Sequence, residues 1–374
     1  MQINSPGSVK KRKHSSFSPV PVIMLIVVFV FSLWFKVSEP GIIPGEAMSN
    51  LWTAFRLWIA ELFHLPLALD RFDLSREHDF YYETIRRLKV SIVTLVSGAA
   101  VCAGGAVFQT MFKNPLASPN ILGISTGVNL GTILFLFLFP TTAVGMLNRR
   151  YIYCFITAGI LVGLTMLAGK VAGRRLGRFS IMDMLVVGAI ISQFGSVLTM
   201  YFQFKLEEID YNLLTAYQEI SMGMYVLTDL KSMITFLLMI ALSIVPLYLV
   251  RYRMNATVLD DTDARSMGVN TDRLRMAGML SGAVLAITAL IECGDMGILS
   301  MAVPPVVRYL CKGADFRKVL YYSICTGSMI MLLARSFCSM IYIAGMALPV
   351  NFAISLLVLP MFVLAMSKQR GVYA

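Results

Sequence analysis

Between two apolar runs the sequence sets Lys113-Asn114-Pro115-Leu116-Ala117-Ser118-Pro119. Each proline lacks an N–H and pushes the residue before it out of helical geometry, so the backbone has to break here. Inside an apolar layer, a break of this kind survives only where protein buries it or water reaches it. That is the chemistry of a gated path rather than of bond making. Polar side chains that could line such a path are Gln109, just before the break, and Ser192, Gln193 and Ser196 farther on. The last three suit helix-to-helix hydrogen bonding equally well. A second constellation is Leu259-Asp260-Asp261-Thr262-Asp263-Ala264-Arg265-Ser266-Met267-Gly268. Its acids favour a helix N-terminus and its glycine a helix end, which predicts a short surface helix able to act as a lever. No catalytic residue and no metal ligand set is assigned. The six cysteines are scattered through apolar stretches as inert thiols, and the 25 methionines are dispersed as packing. The nearest approach to a nucleotide-binding phosphate loop, Gly163 to Lys170, has the wrong spacing and lies in an apolar run.

The elements that must position these residues follow from composition. Of 374 residues, 57% are hydrophobic and 14% charged, with mean hydropathy +0.73, against about 25% charged in soluble domains. A soluble enzyme is excluded, and an all-α polytopic membrane protein with about ten transmembrane helices is expected at about twenty residues per span. Residues 1–17 form a basic tail with Lys10, Lys11, Arg12 and Lys13, and 18–37 an uncleaved first span. Residues 38–85 form an extracytoplasmic segment whose Trp52, Phe55, Ile59 and Leu62 predict an interfacial amphipathic helix. Nine further spans fill 86–367, at about 88–112, 121–141, 151–173, 181–203, 231–251, 274–293, 296–310, 318–341 and 349–367, and 368–374 close the chain. The connections Gln203 to Lys231 and Arg251 to Arg273 are longer, polar and candidate docking surfaces. With both termini cytoplasmic, 20 of the 32 Lys and Arg and six of the 21 acids fall on inner segments, a net of +14 inside against −3 outside. The formal charge of +11 therefore reports membrane orientation and not a nucleic-acid partner. Gly123, Gly127 and Gly131 recur every four residues and offer a bare face for a neighbouring helix.

Three blocks resemble the permease family of bacterial importers for iron-siderophores, haem and cobalamin, the type II ATP-binding-cassette (ABC) importers. The first is Gly98-Ala99-Ala100, Gly105 to Gln109, Phe112-Lys113, Asn114 to Pro119 and Leu122-Gly123-Ile124-Ser125-Thr126-Gly127. The second, Val258 to Val269, resembles that family's cytoplasmic coupling helices. The third is Gly297 to Arg308 with Gly313-Ala314-Asp315-Phe316-Arg317. It departs from the family pattern: Pro305 and Phe316 replace histidines and Ala347 a glutamate, while Arg335 and Ser339 stand where the family has Asp and Arg.

The resemblance covers residues 86–367 and implies the type II importer permease fold, in the cytoplasmic (inner) membrane of a bacterium. It implies a second permease subunit, identical or not, and separate ATPase subunits that hold ATP and magnesium, so that this chain binds no cofactor. The ATPases would dock on the coupling segment 252–273 through Leu259, Asp260, Asp261, Ala264, Arg265, Met267 and Gly268. Asn114, Pro115 and Leu116 would form the inner gate, with Gln109, Ser192, Gln193 and Ser196 along the path. Arg86, Arg87 and Lys89 would meet an extracytoplasmic substrate-binding protein. The cargo would be a ferric siderophore, haem or a corrinoid. Two other classes remain open from the sequence. One is an ion-gradient-driven secondary transporter, for which only Arg335 is a mid-membrane ionisable candidate. The other is a divergent permease that no longer transports, or that serves as half of a heterodimer.

Overall fold

A bilayer offers the backbone no partner but itself, so each apolar run closes its hydrogen bonds as a helix. The computed structural model describes residues 18–33, 76–140, 149–175, 181–223, 230–258, 266, 268, 270–311, 315–343 and 346–368. The helices are α1 (Val20–Ser32), α2 (Arg76–Phe112), α3 (Ile124–Leu138), α4 (Arg150–Arg175), α5 (Ile181–Ile209), α6 (Tyr211–Ser221), α7 (Leu230–Val250), α8 (Thr271–Cys293), α9 (Gly297–Cys311), α10 (Phe316–Cys338) and α11 (Val350–Lys368). Two 3-10 turns, Pro119–Leu122 and Arg253–Val258, complete the helical set. A two-residue hairpin, β1 (Tyr342–Ile343) against β2 (Met346–Ala347), joins α10 to α11.

Among the described residues six helices are long and apolar enough to cross a membrane and four shorter ones, α1, α3, α9 and α11, are apolar. Together they match the ten spans expected. Two boundaries differ. Helix α2 starts at Arg76, well before the span at 88. The connection from Gln203 to Lys231 is largely helical: α5 runs on to Ile209, Asp210 accepts a 2.9 Å hydrogen bond from the Asn212 amide as an N-cap, and α6 buries Leu213, Leu214, Tyr217 and Ile220. The basic tail, the amphipathic segment around Trp52, Phe55, Ile59 and Leu62, and Leu259, Asp260, Asp261, Ala264, Arg265 and Met267 lie outside the described residues.

Helix α2 is the most buried of the long apolar helices and packs on α8, α9 and α10. The approach is close where side chains are absent: a Cβ on Gly98 would stand 2.6 Å from the Gly327 carbonyl oxygen of α10. Helix α4 lies against the bare face of α3, where a Cβ on Gly131 would stand 2.5 Å from Cys154 Cα. Thr157 seals this contact, its hydroxyl donating 2.6 Å to the Gly127 carbonyl. Helix α1 is tied at both ends, by Tyr321 Oη donating to the Ser18 carbonyl at 3.2 Å and by Ser32 Oγ to Ser91 Oγ at 3.2 Å. All six cysteines are unpaired.

Candidate functional site

One end of the bundle carries Lys113, Arg251, Arg253, Arg308 and Arg317, and there α2 ends. Lys113 takes a left-handed conformation (φ 49°), and the Asn114 amide reaches back to the Gln109 carbonyl at 3.2 Å. This six-to-one bond is the Schellman way of closing a helix, with lysine at the position glycine usually fills. Asn114 Oδ1 then accepts from the Leu116 amide at 2.9 Å, and the Ala117 amide bonds the Asn114 carbonyl at 3.1 Å. Asn114 therefore holds the turn and Pro115 follows it, while Leu116 stands exposed.

After the turn the chain climbs back into the bundle. Pro119 packs beside Gly104, and the turn residues Leu122 and Gly123 lie against Thr165 and Leu161 of α4 and Ser192 of α5. Thr165 is ten residues from the end of α4, about 15 Å at 1.5 Å per residue. The Pro119–Leu122 turn thus sits within the apolar layer, and Gly123 (φ 81°) restarts the helix in a conformation that a side chain would strain.

The second break is in α9. Pro304 and Pro305 lack the amides that would bond the Ser300 and Met301 carbonyls, so two buried acceptors are released. Helix α2 lies against both and hydrogen-bonds one. Gln109 Nε2 donates to the Met301 carbonyl at 2.8 Å, and Gly105 brings its bare backbone against the Ser300 carbonyl. The other end of the Gln109 amide accepts from Arg308 Nη1, while Arg308 Nη2 donates to Thr110 Oγ1 at 3.2 Å. Gln109 is 3% exposed and serves as a bolt between α2 and α9 rather than as an open lining group. Gln109→Leu is expected to orphan the Met301 carbonyl and cost about 2 to 3 kcal/mol, read as a lowered thermal midpoint of the detergent-solubilised protein.

Ser192 and Ser196 bond back to their own helix, to the Gly188 carbonyl at 2.7 Å and the Ser192 carbonyl at 3.0 Å. Gln193 and Ser196 face away from the protomer on α5, the least buried of the long apolar helices. The sequence grouped Gln109 with these three; the structure places Gln109 in the core and Gln193 and Ser196 on the outside of one protomer.

The predicted coupling segment is entered through Arg253–Val258. Met254 is fully buried, its methyl group near Gly278 of α8. Asn255 makes a reciprocal pair with the start of α10: its Nδ2 donates to Asp315 Oδ1 at 3.1 Å and its Oδ1 accepts from the Phe316 amide at 2.8 Å. Asp315 also caps α10 through the Arg317 amide at 3.0 Å and pairs with Arg317 Nη2 at 2.9 Å. The Arg317 guanidinium holds the Asp315 carboxyl below the ordinary carboxylate range, so it is ionised at neutral pH. Arg317 and Arg251 both lie over the Tyr252 ring. At the far end of the segment Gly268 is left-handed (φ 77°) and Asn270 caps α8 through the Arg273 amide at 3.0 Å. Asn255 was not singled out by the sequence, where it is one amide in a polar connection.

At the opposite end, Arg86 is exposed and Lys89 half-buried, while Arg87 is 4% exposed and turned in among the helices. Arg335 donates to the Gly223 carbonyl at 2.9 Å. Here the structure brings together a buried trio that the sequence did not signal. Arg150 and Glu292, 0% and 2% exposed, stand 3.6 Å apart. Arg150 Nη2 bonds the Ile291 carbonyl at 2.8 Å, and Tyr151 Oη donates to Glu292 Oε1. Arg150 Nε and Nη1 and Glu292 Oε2 have no hydrogen-bond partner. Among the described residues, no cluster of three or more His, Cys, Asp or Glu could hold a metal ion.

Ten apolar helices among the described residues, with α2 the most buried of the long ones, define a polytopic membrane protein. Its fold is shared with a solved metal-chelate type ABC transporter described as putative and inward-facing, at TM-score 0.68 and 20% identity over 94% of this chain and 99% of that one. The chain belongs to the FecCD transport family, which matches residues 47–368. Similar curated proteins include a probable iron chelatin transport system permease of Helicobacter pylori, 29% identical over 76% of this chain and 82% of the relative. The Fe(3+) dicitrate transport system permease FecD of Escherichia coli is 26% identical over 80% and 89%. The protein is thus a transporter component and not an enzyme.

Proposed function

We infer that this chain is the transmembrane subunit of an importer that moves an iron chelate, a ferric siderophore or haem, or a corrinoid inward across the cytoplasmic membrane of a bacterium. Separate ATPase subunits supply the energy, and an extracytoplasmic binding protein delivers the cargo. The observation that carries this reading is the family match across both breaks and the coupling segment, and the relatives named for iron chelatin and ferric dicitrate support the cargo class. The end carrying Lys113, Arg308 and Arg317 is cytoplasmic on the positive-inside rule. Two copies, or this chain and a related one, enclose the path. The exposed Gln193 and Ser196 of α5 favour that arrangement, because an amide facing lipid has no partner there. Asn114, Pro115 and Leu116 form the inner gate, with Leu116 free to project and Asn114 fixing the turn behind it. Binding-protein contact falls to Arg86 and Lys89, with Arg87 holding α2 in place behind them.

ATP-driven closure of the ATPases pushes Leu259, Asp260, Asp261, Ala264, Arg265, Met267 and Gly268, and the segment carries the movement into α7 and α8. Purification of the tagged chain from its native membranes is expected to bring down an ATPase subunit. Reversing the charges at Asp260, Asp261 and Arg265 is expected to abolish that association while leaving the permease in the membrane. A chain that copurifies no ATPase, or that keeps it after charge reversal, would sink this reading.

A further inference from the structure

The coupling segment is joined through the backbone to α7 on one side and, on the other, to α8, which packs along α2; α10 also packs along α2 and holds α1, α9 and α11. The segment has no backbone continuity with α10, which the chain enters from α9 through Asp315. The link is made by side chains: the Asn255 amide holds both the Asp315 carboxylate and the Phe316 amide, at 3.1 and 2.8 Å. These bonds grip the N-terminus of α10, where the first backbone amides would otherwise seek partners. The grip is directional, since an amide presents one donor face and one acceptor face and the helix start presents the complementary pair. Met254, buried beside Asn255, prevents the segment from rolling away from the bundle.

We propose that the Asn255–Asp315 pair is a latch that makes α10 move with the coupling segment, so that ATPase movement reaches α2 and the turn at its end through α10 as well as α8. This rests on the importer reading above. Asn255 and Asp315 are positioning residues: neither touches nucleotide or cargo, and their effect is on how much transport each hydrolysed ATP yields. Without the latch, the segment can follow the ATPases while α10 stays behind.

The test exchanges the two groups. Asn255→Asp sets two carboxylates against each other and removes the Nδ2 donor, breaking the side-chain half of the latch with almost no change of volume. Adding Asp315→Asn restores one amide facing one carboxylate in reversed order, and asparagine still caps α10. The complex, purified with its own ATPase and binding protein and reconstituted in proteoliposomes, would be assayed for ATP hydrolysis and for uptake of radioactive ferric dicitrate and ferric hydroxamate. The single variant is expected to keep its thermal midpoint and its ATP hydrolysis while uptake per ATP falls roughly ten-fold. The double variant is expected to recover most of it. A single variant as well coupled as the parent, or a double variant no better than the single, overturns the latch. A parent complex that neither contains an ATPase nor takes up either chelate overturns the importer reading itself, and the latch with it.

Discussion

Replacing Glu292 with alanine is expected to lower stability by about 3 to 5 kcal/mol, the range found when one member of a buried ion pair is removed. Arg150 is fully buried, and two of its nitrogens already lack a partner. Without Glu292 its charge would be left with the Ile291 carbonyl alone, and Tyr151 would lose its acceptor. Glu292→Gln keeps an acceptor for Tyr151 and should fall between parent and alanine variant. The decisive comparison is the double replacement Arg150→Met with Glu292→Leu. It removes both charges and both desolvation costs, so it should be less damaging than Glu292→Ala alone. Thermal unfolding of the four proteins in detergent measures this directly. A double variant as damaged as Glu292→Ala, or more so, would show that the two side chains do not act as a pair.

The second large effect is expected at Gly105. A Cβ there would collide with the Ser300 carbonyl, which belongs to backbone and cannot swing aside as a flexible side chain would. Gly105→Val has to push α2 and α9 apart, and the displacement would also pull Gln109 from the Met301 carbonyl one turn away. A loss upwards of about 4 kcal/mol or failure to accumulate in the membrane is expected. Gly163 of α4 is the control, because a Cβ there meets nothing within 4 Å. Gly163→Val should fold within about 0.5 kcal/mol of the parent. Equal yields and equal melting for the two variants would refute the close-approach account.

Placing spans needs only the run of apolar residues, and that is why helices as short as α9 are readable from the sequence: the prolines interrupt hydrogen bonds but not hydropathy. The bare face of α3 is readable for a similar reason, since a four-residue glycine repeat fixes which side of a helix is flat. Helix α6 was also within reach, through Asp210 as a cap and Leu213, Leu214, Tyr217 and Ile220 at helical spacing; its polar remainder made the stretch look like a loop.

The fate of polar groups was not legible. Gln109 looks from its neighbours like a path residue, and its acceptor lies 192 residues away on a helix whose prolines have freed a carbonyl. Tyr151 and Glu292 are 141 residues apart, and nothing local to either marks the pairing. Asn255 and Asp315 are separated by 60 residues and by two helices. Hydropathy and spacing are properties of consecutive residues, so the sequence by itself determined the spans, their breaks and the charge asymmetry between the two ends. Which buried donor meets which acceptor depends on how those spans pack, and only the tertiary structure decided that.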